Sequence, residues 1–381
     1  MPLLALAALL VALAPGEGFG ADAQQSLSFP TSASVSPDGY GWALTTAGVE
    51  VTSDYGRRFT LIEPPAAIAA HVTTVAVDGR DVVVAGLSDA FVNNRIPILL
   101  ARSHDAGATW TTETLPRAKG QPGSVALVSR GGVLVGLTLT DVAGGPSSEG
   151  EWYATADGGA TWTRRDAPSG NTIVPAAGAL WQTGNVLATY LERSGDGGRS
   201  WSFVRLPFPT PTRELSRYSA LLTIAGSLRD GAVALVVASA VPRKTTARVA
   251  LYLSSDGGRH WRARWRGSFA DPGGGDEVVA AAIAADTVWI APVGAPEIVR
   301  VPASGPALTV RAAGLLAGGA VVTLSAITPS SAWATDEAGR CPSGKASCHD
   351  IYGLFRTADG GRRWSALDLT PSAPESATAA P

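Results

Sequence analysis

The side chains with most chemistry to offer in this 381-residue chain are aspartates and arginines, and the aspartates fall into a pattern. Asp54, Asp105, Asp157, Asp196, Asp256 and Asp359 each lie two residues after a Ser or Thr, two before a Gly and five before a Trp or Phe, as in Ser254-Ser-Asp256-Gly-Gly258-Arg-His-Trp261. A carboxylate so placed can accept backbone N–H bonds across a tight turn, and Gly supplies positive φ without Cβ strain. The Asp-x-Asp-x-Asp-Gly and Gly-Gly-x-Gly-x-Asp patterns that hold calcium are missing, so neither a metal nor a cofactor is expected. Outside the turns stand Arg95, in Arg95-Ile96-Pro97, and Arg217-Tyr218, ahead of an apolar run. Arginine and tyrosine are side chains that carry binding energy at interfaces. A glycosidase would need two acidic or equivalent groups flanking the scissile bond. Asp276-Glu277 is such a pair in composition, but it reads as a solvated loop. The four histidines, His71, His104, His260 and His349, form no legible Ser–His–Asp arrangement.

The elements that position these residues follow from the repeat. Successive aspartates are 51, 52, 39, 60 and 103 residues apart, and the last gap holds a decayed copy at Pro302-Ala-Ser304-Gly-Pro306. Seven units of this period predict an all-β, seven-bladed propeller of four-stranded antiparallel blades. Each blade parses into strands A to D with the aspartate turn between C and D. A recurrent tryptophan on strand B (Trp42, Trp181, Trp289, Trp333) is expected to pack between blades. Antiparallel order puts the A–B and C–D turns at one end and the B–C and D–A connections at the other. The A–B turns are short. The B–C connections are swollen at Ser88–Arg95, Thr140–Gly150, Val241–Thr246 and Glu337–Asp350. Long loops on a rigid scaffold are where binding resides.

The turn motif resembles the Asp-box, or BNR repeat, of sialidases, sortilin-type receptors, secreted xyloglucanases and photosystem-II assembly-factor-like propellers. The resemblance runs from about Ser32 to Leu369 and implies the propeller fold; the family mixes hydrolases with binding proteins. Sialidase chemistry in that family takes three arginines on a carboxylate, a Tyr–Glu nucleophile pair and an Asp acid/base. Arg95-Ile96-Pro97 matches the family's Arg-Ile-Pro in letters. There, however, the signature opens the first blade's inner strand, whereas here it runs into strand C of blade 2. The segment Arg217–Leu221 with Val233–Val237 resembles the strand pair carrying the sialidase tyrosine, which would be Tyr218, but no Glu follows on strand B.

Composition bounds the rest. Net charge is −2, which gives no basic footprint for nucleic acid. Residues 3–14 form an apolar run of signal-peptide length, too short to span a bilayer, followed by Ala21-Asp22-Ala23, so 1–23 are expected to be a signal peptide and the protein secreted or extracytoplasmic. Cys341 and Cys348, the only cysteines, are then expected to form one local disulfide. Residues 24–369 are read as a single domain and the Pro/Ala/Ser-rich 370–381 as a disordered tail. The expectation is a monomeric, non-catalytic module binding a protein or glycan on the B–C/D–A face through Arg95, Arg217 and Tyr218. The alternative is a sialidase-like exo-glycosidase.

Overall fold

The computed structural model describes residues 30–369 apart from 46, 90–95, 116–121, 131–132, 142–149, 168–172, 184–189, 207–219, 241–245, 271–278, 293–294, 317–318 and 341–348. Seven four-stranded antiparallel sheets make a propeller, each built from four consecutive strands. Strands A to D are Pro30–Val35, Gly41–Thr45, Gly48–Thr52 and Thr60–Ile62 in blade 1, and Val72–Asp78, Asp81–Leu87, Ile98–Ser103 and Thr111–Leu115 in blade 2. Blade 3 comprises Pro122–Arg130, Val133–Asp141, Gly150–Ala154 and Thr163–Ala167; blade 4 comprises Ile173–Ala176, Ala179–Thr183, Leu191–Ser194 and Ser202–Val204. Ala220–Ser227, Val233–Ala240, Thr246–Ser254 and Arg262–Ala270 form blade 5. Blade 6 contains Val279–Ala284, Thr287–Pro292, Glu297–Pro302 and Leu308–Arg311, and blade 7 Ala320–Ala326, Ala332–Arg340, His349–Thr357 and Ser365–Ala366. A single-turn helix, Ala66–Ala69, lies in the connection from blade 1 to blade 2 and buries Ile68.

The period of two explains why the middle strands read as continuous apolar runs. On strand B of blade 5, Val233, Leu235 and Val237 pack toward blade 4, while Ala234, Val236 and Ala238 pack toward blade 6. Both faces are buried. The described core is accordingly divided into seven layers, one between each pair of neighbouring blades. Strand A of every blade faces the central channel.

Backbone bonds fix which turns share an end. Tyr55 N–H donates to Gly39 O, Ala106 N–H to Arg80 O, Ala303 N–H to Asp286 O and Gly360 N–H to Ser330 O, each joining a C–D turn to the A–B turn of the same blade. The A–B connections are brief, among them 79–80, 131–132, 177–178 and 285–286. The strand ends joined by 88–97, 142–149, 184–190, 205–219, 271–278 and 341–348 lie at the opposite end. In blade 7 the hairpin is longer than the charged sequence Asp336-Glu337 suggested. Strands B and C stay paired to Arg340↔His349, so the connection is 341–348 rather than 337–350. Two interactions keep these charged residues inside the ladder: Tyr352 Oη donates to Glu337 Oε1 at 3.1 Å, and Leu316 N–H donates to Asp336 Oδ2 at 2.6 Å. The decayed seventh turn occupies 303–307, with Gly305 at φ 85°.

Candidate functional site

The chemistry of the six aspartates is settled by their hydrogen bonds. Asp157 Oδ1 accepts from Thr155 Oγ1 (2.8 Å) and Thr161 N–H (2.8 Å), and Oδ2 accepts from Thr161 Oγ1 (2.7 Å). Thr155 Oγ1 in turn accepts from Gly159 N–H at 2.8 Å. The Ser or Thr thus donates to the carboxylate and accepts from the glycine, which is why the motif needs a hydroxyl there. Asp54, Asp105, Asp196, Asp256 and Asp359 repeat the bond from the hydroxyl residue. The residue four after the aspartate adds a second side-chain bond where it is Thr, Ser or His, as Thr109, Ser200 and His260 do. The hydroxyl of Thr109 and that of Thr161 lead in pulling Asp105 and Asp157 down to about 2. Carboxylates held this low stay ionised at neutral pH and are no general acids.

This end is also where blades grip one another. Arg165 of blade 3 donates through Nη1 to Gly197 O in the blade 4 turn, beside Trp152 Nε1, which donates to the same oxygen at 3.2 Å. Arg264 of blade 5 donates through Nε to Pro302 O and Ala303 O, both at 3.1 Å, in the blade 6 turn. Arg300 of blade 6 donates to Pro329 O of blade 7 at 2.8 Å. Three of the strand B tryptophans, Trp181, Trp289 and Trp333, are fully buried and lie under the turn glycine of the following blade, respectively Gly258, Gly361 and Gly56. Trp152, on strand C of blade 3, takes the same place under Gly198. The turn aromatics themselves are buried only at Phe59 and Trp364; Trp110, Trp162, Trp201 and Trp261 remain partly exposed.

At the turn end of the channel lies a cavity of about 580 Å³ lined by all seven A strands. Its described lining is hydroxyl and aliphatic: Ser34, Ser36, Ser129, Ser227 and Ser325 among Val75, Leu127 and Ile283, with Tyr40 at the rim.

Tyrosine–glutamate pairs occur on blades 3 and 7. Tyr153 Oη donates to Glu151 Oε2 at 2.9 Å, with Arg164 Nη2 3.5 Å from Oε1. That pair is buried between blades 2 and 3, and burial, then the Glu151 charge, pushes the phenol well above its ordinary range, the reverse of what a nucleophile needs. Tyr352–Glu337 is half-buried on blade 7, three ladder pairs before the last pair, Arg340↔His349. Sequence reasoning missed it, because the two residues meet only through the strand register Glu337↔Tyr352. Glu50 is buried at the seam of blades 7 and 1, where burial and then Asp368 push it up to about 7, and Asp336 is raised by burial to about 6. Glu192, raised by burial, lies across the blade 4 ladder from the buried Gln182.

Arg95, Arg217 and Tyr218 lie outside the described residues, as do Asp276, Glu277, Cys341, Cys348, the 1–23 segment and the 370–381 tail. No group of three or more His, Cys, Asp or Glu among the described residues could hold a metal ion. No helix among them is long and apolar enough to cross a membrane.

No family model and no curated protein matches the chain. Among solved structures, the polysaccharide lyase Uly1 is 10% identical with a TM-score of 0.50, over 90% of this chain and 91% of that one. The GH93 α-L-arabinofuranosidase of Fusarium graminearum in complex with arabinobiose is 14% identical over 78% of this chain and 98% of that one, with a TM-score of 0.47. The Trypanosoma rangeli sialidase in complex with the inhibitor DANA is 14% identical over 71% and 53%, with a TM-score of 0.39. At such identities the likeness to the lyase is one of fold, and nothing about activity follows from any of the three.

Proposed function

We propose that the chain is an exported Asp-box propeller that binds a protein or glycan without chemical turnover. The site is the end formed by its B–C and D–A connections, with Arg95, Arg217 and Tyr218 as contacts. The observation that carries this reading is the division of labour between the two ends. The aspartate turns are engaged in their own hydrogen bonds and in gripping adjacent blades, while the connections at the other end, such as 88–97 and 205–219, are several times longer than the A–B turns. Loops presented by a rigid ring are the usual carriers of recognition. Export rests on the apolar 3–14 run and Ala21-Asp22-Ala23.

The sialidase-like alternative has one observation in its favour, the Tyr352–Glu337 hydrogen bond near the loop end. A fluorogenic sialoside separates the two readings. Non-catalytic binding expects no hydrolysis above a heat-killed control. Turnover abolished by Tyr218→Phe or by Tyr352→Phe would replace it with the enzyme reading.

A further inference from the structure

The seven blade interfaces are not equivalent, and the difference is concentrated at the seam between the last blade and the first. At two interfaces a strand B tryptophan faces a strand C arginine across the ladder, Trp181↔Arg193 and Trp289↔Arg300. Each guanidinium lies over its indole, 5.8 and 5.5 Å from the ring centroid. Each also rests against the next blade's turn at the residue after its aspartate. Arg193 lies against Gly257, and Arg300 fills the space a Cβ on Gly360 would take. At the seam the ladder pair recurs as Trp333↔Arg356. The corresponding turn residue in blade 1, however, is Tyr55, not glycine. Its φ is 63°, its ring lies over Gly39 and its Oη donates to Pro37 O at 3.1 Å. With that position filled, Arg356 makes no ring contact among the described residues, and its Nε, like those of Arg193 and Arg300, is buried without a hydrogen-bond partner.

What the altered seam leaves is a groove of about 590 Å³, the size of a small-ligand site, whose lining includes Arg57 from blade 1 and Arg356 and Arg363 from blade 7. Its lining carboxylates are Asp359 and Asp368. Asp359 already accepts from Thr357 Oγ1 and from the N–H groups of Arg362 and Arg363. Asp368 lies beside the buried Glu50. The lining residues therefore include three arginines against two aspartates, an excess of one positive charge. Arginine forks match the paired oxygens of carboxylates and sulfates, and a ligand oxygen would give the Arg356 Nε–H the partner it lacks.

We propose that this seam groove is a binding site for an oxyanion group, a carboxylate or a sulfate ester on a molecule of sugar size, held by Arg57, Arg356 and Arg363. It lies at the opposite end from the recognition face proposed above and stands independently of it. Since its arginines come from both ends of the chain's ring of blades, a bound anion bridges the closure and stabilises the folded ring by linkage.

Calorimetric titration of the full chain with tetragalacturonate, a sulfated tetrasaccharide and a neutral tetrasaccharide tests the site. We expect at least one acidic oligosaccharide to bind one to one and to raise the melting temperature, with the neutral one inert; which arm binds tells carboxylate from sulfate. Arg363→Gln, at an exposed side chain, and Arg356→Gln should each weaken binding about tenfold or more. Arg80→Gln, at an exposed side chain in the 79–80 turn of blade 2, should leave it unchanged. If neither acidic oligosaccharide binds, or both arginine variants bind as tightly as the parent, the proposal fails. Should Arg356→Gln not fold, Arg363→Gln and Arg57→Gln decide the matter alone.

Discussion

Trp333 of the seventh blade packs against Phe59 of the first, with ring centroids 5.7 Å apart and planes inclined at 47°. Each blade is made of consecutive strands, so no strand is shared across the seam. Closure rests on side chains: Trp333, Ile327 and Leu354 against Ala33, Val35, Ala43 and Phe59. A strand B tryptophan also meets a turn aromatic at the interface of blades 4 and 5, where Trp181 and Trp261 pack edge-on at 6.2 Å. The turn motif is thus an inter-blade fastener as well as a tight turn.

The fastener predicts a split among turn glycines. Gly258 has φ 87°, and a Cβ there would come within 2.6 Å of Val204 Cγ1 and 3.0 Å of the Trp181 ring. Gly158 is likewise left-handed at φ 66° but has no heavy atom within 4 Å of that position. Gly158→Ala should cost about 1–2 kcal/mol, for the left-handed backbone alone. Gly258→Ala should cost about 2–4 kcal/mol, because the crowding of the adjacent blade is added. Urea midpoints of the two variants measure the difference, and equal midpoints would contradict the inter-blade role.

The turn carboxylates set the acid limb of stability. Asp105 and Asp157 titrate at about 2 in the folded protein, chiefly through the Thr109 and Thr161 hydroxyls, against about 3.9 when unfolded. Their folded values are depressed, so their contribution is complete above about pH 4 and is lost as pH falls toward 2. Asp157→Asn should lower the melting temperature at pH 6 and make its decline between pH 5 and 2 shallower than in the parent. Parallel melting curves across that range would refute the assignment.

Glu50 acts in the opposite sense. Held at about 7 by burial and then by Asp368, it keeps its proton in the folded state at a pH where the unfolded chain, at about 4.3, has lost it. The folded state therefore binds more protons between about pH 4.3 and 7, and stability falls as pH rises through that window. Glu50→Gln should be the more stable protein at pH 8, by an amount on the order of 2 kcal/mol that shrinks toward pH 4. Chemical denaturation at the two pH values checks it; a constant difference would show that Glu50 does not titrate there.

The cysteines give a covalent test of compartment. The blade 7 ladder ends at Arg340↔His349, the residues flanking Cys341 and Cys348 in sequence. Secreted protein should be lighter by two hydrogens and show no thiol labelling before reduction. Two freely alkylated thiols would contradict both the bridge and the oxidising environment.

The blade count was legible in the spacing of the six aspartates, because the turn needs a hydroxyl, a carboxylate and a glycine at fixed offsets. Even the seventh turn, with Ser304 and Pro306 in place of Asp and Gly, could be placed by period. Partners across strands or blades could not be read this way. Nothing local ties Trp333 to Arg356, Glu337 to Tyr352, or Arg264 to the 303–307 turn; these contacts exist only once register and ring order are set. Trp152 escaped the strand B pattern because it reaches the same inter-blade position from strand C. Glu337 read as the start of a loop because its compensation, the Tyr352 hydroxyl, lies 15 residues away.

The central claim is that recognition belongs to the B–C/D–A end and the aspartate turns to stability. Its most direct measurement takes the partner or glycan recovered with the secreted protein as bait and compares its dissociation constant and the protein's melting temperature across Arg95→Ala, Arg217→Ala, Tyr218→Ala and Asp157→Asn. We expect the first three to weaken binding by tenfold or more, about 1.4 kcal/mol or above, with little change in melting temperature. Asp157→Asn should lower the melting temperature and spare the affinity. The reverse result, with the turn variant losing the partner at unchanged stability while the other three bind normally, would place the site at the wrong end of the propeller.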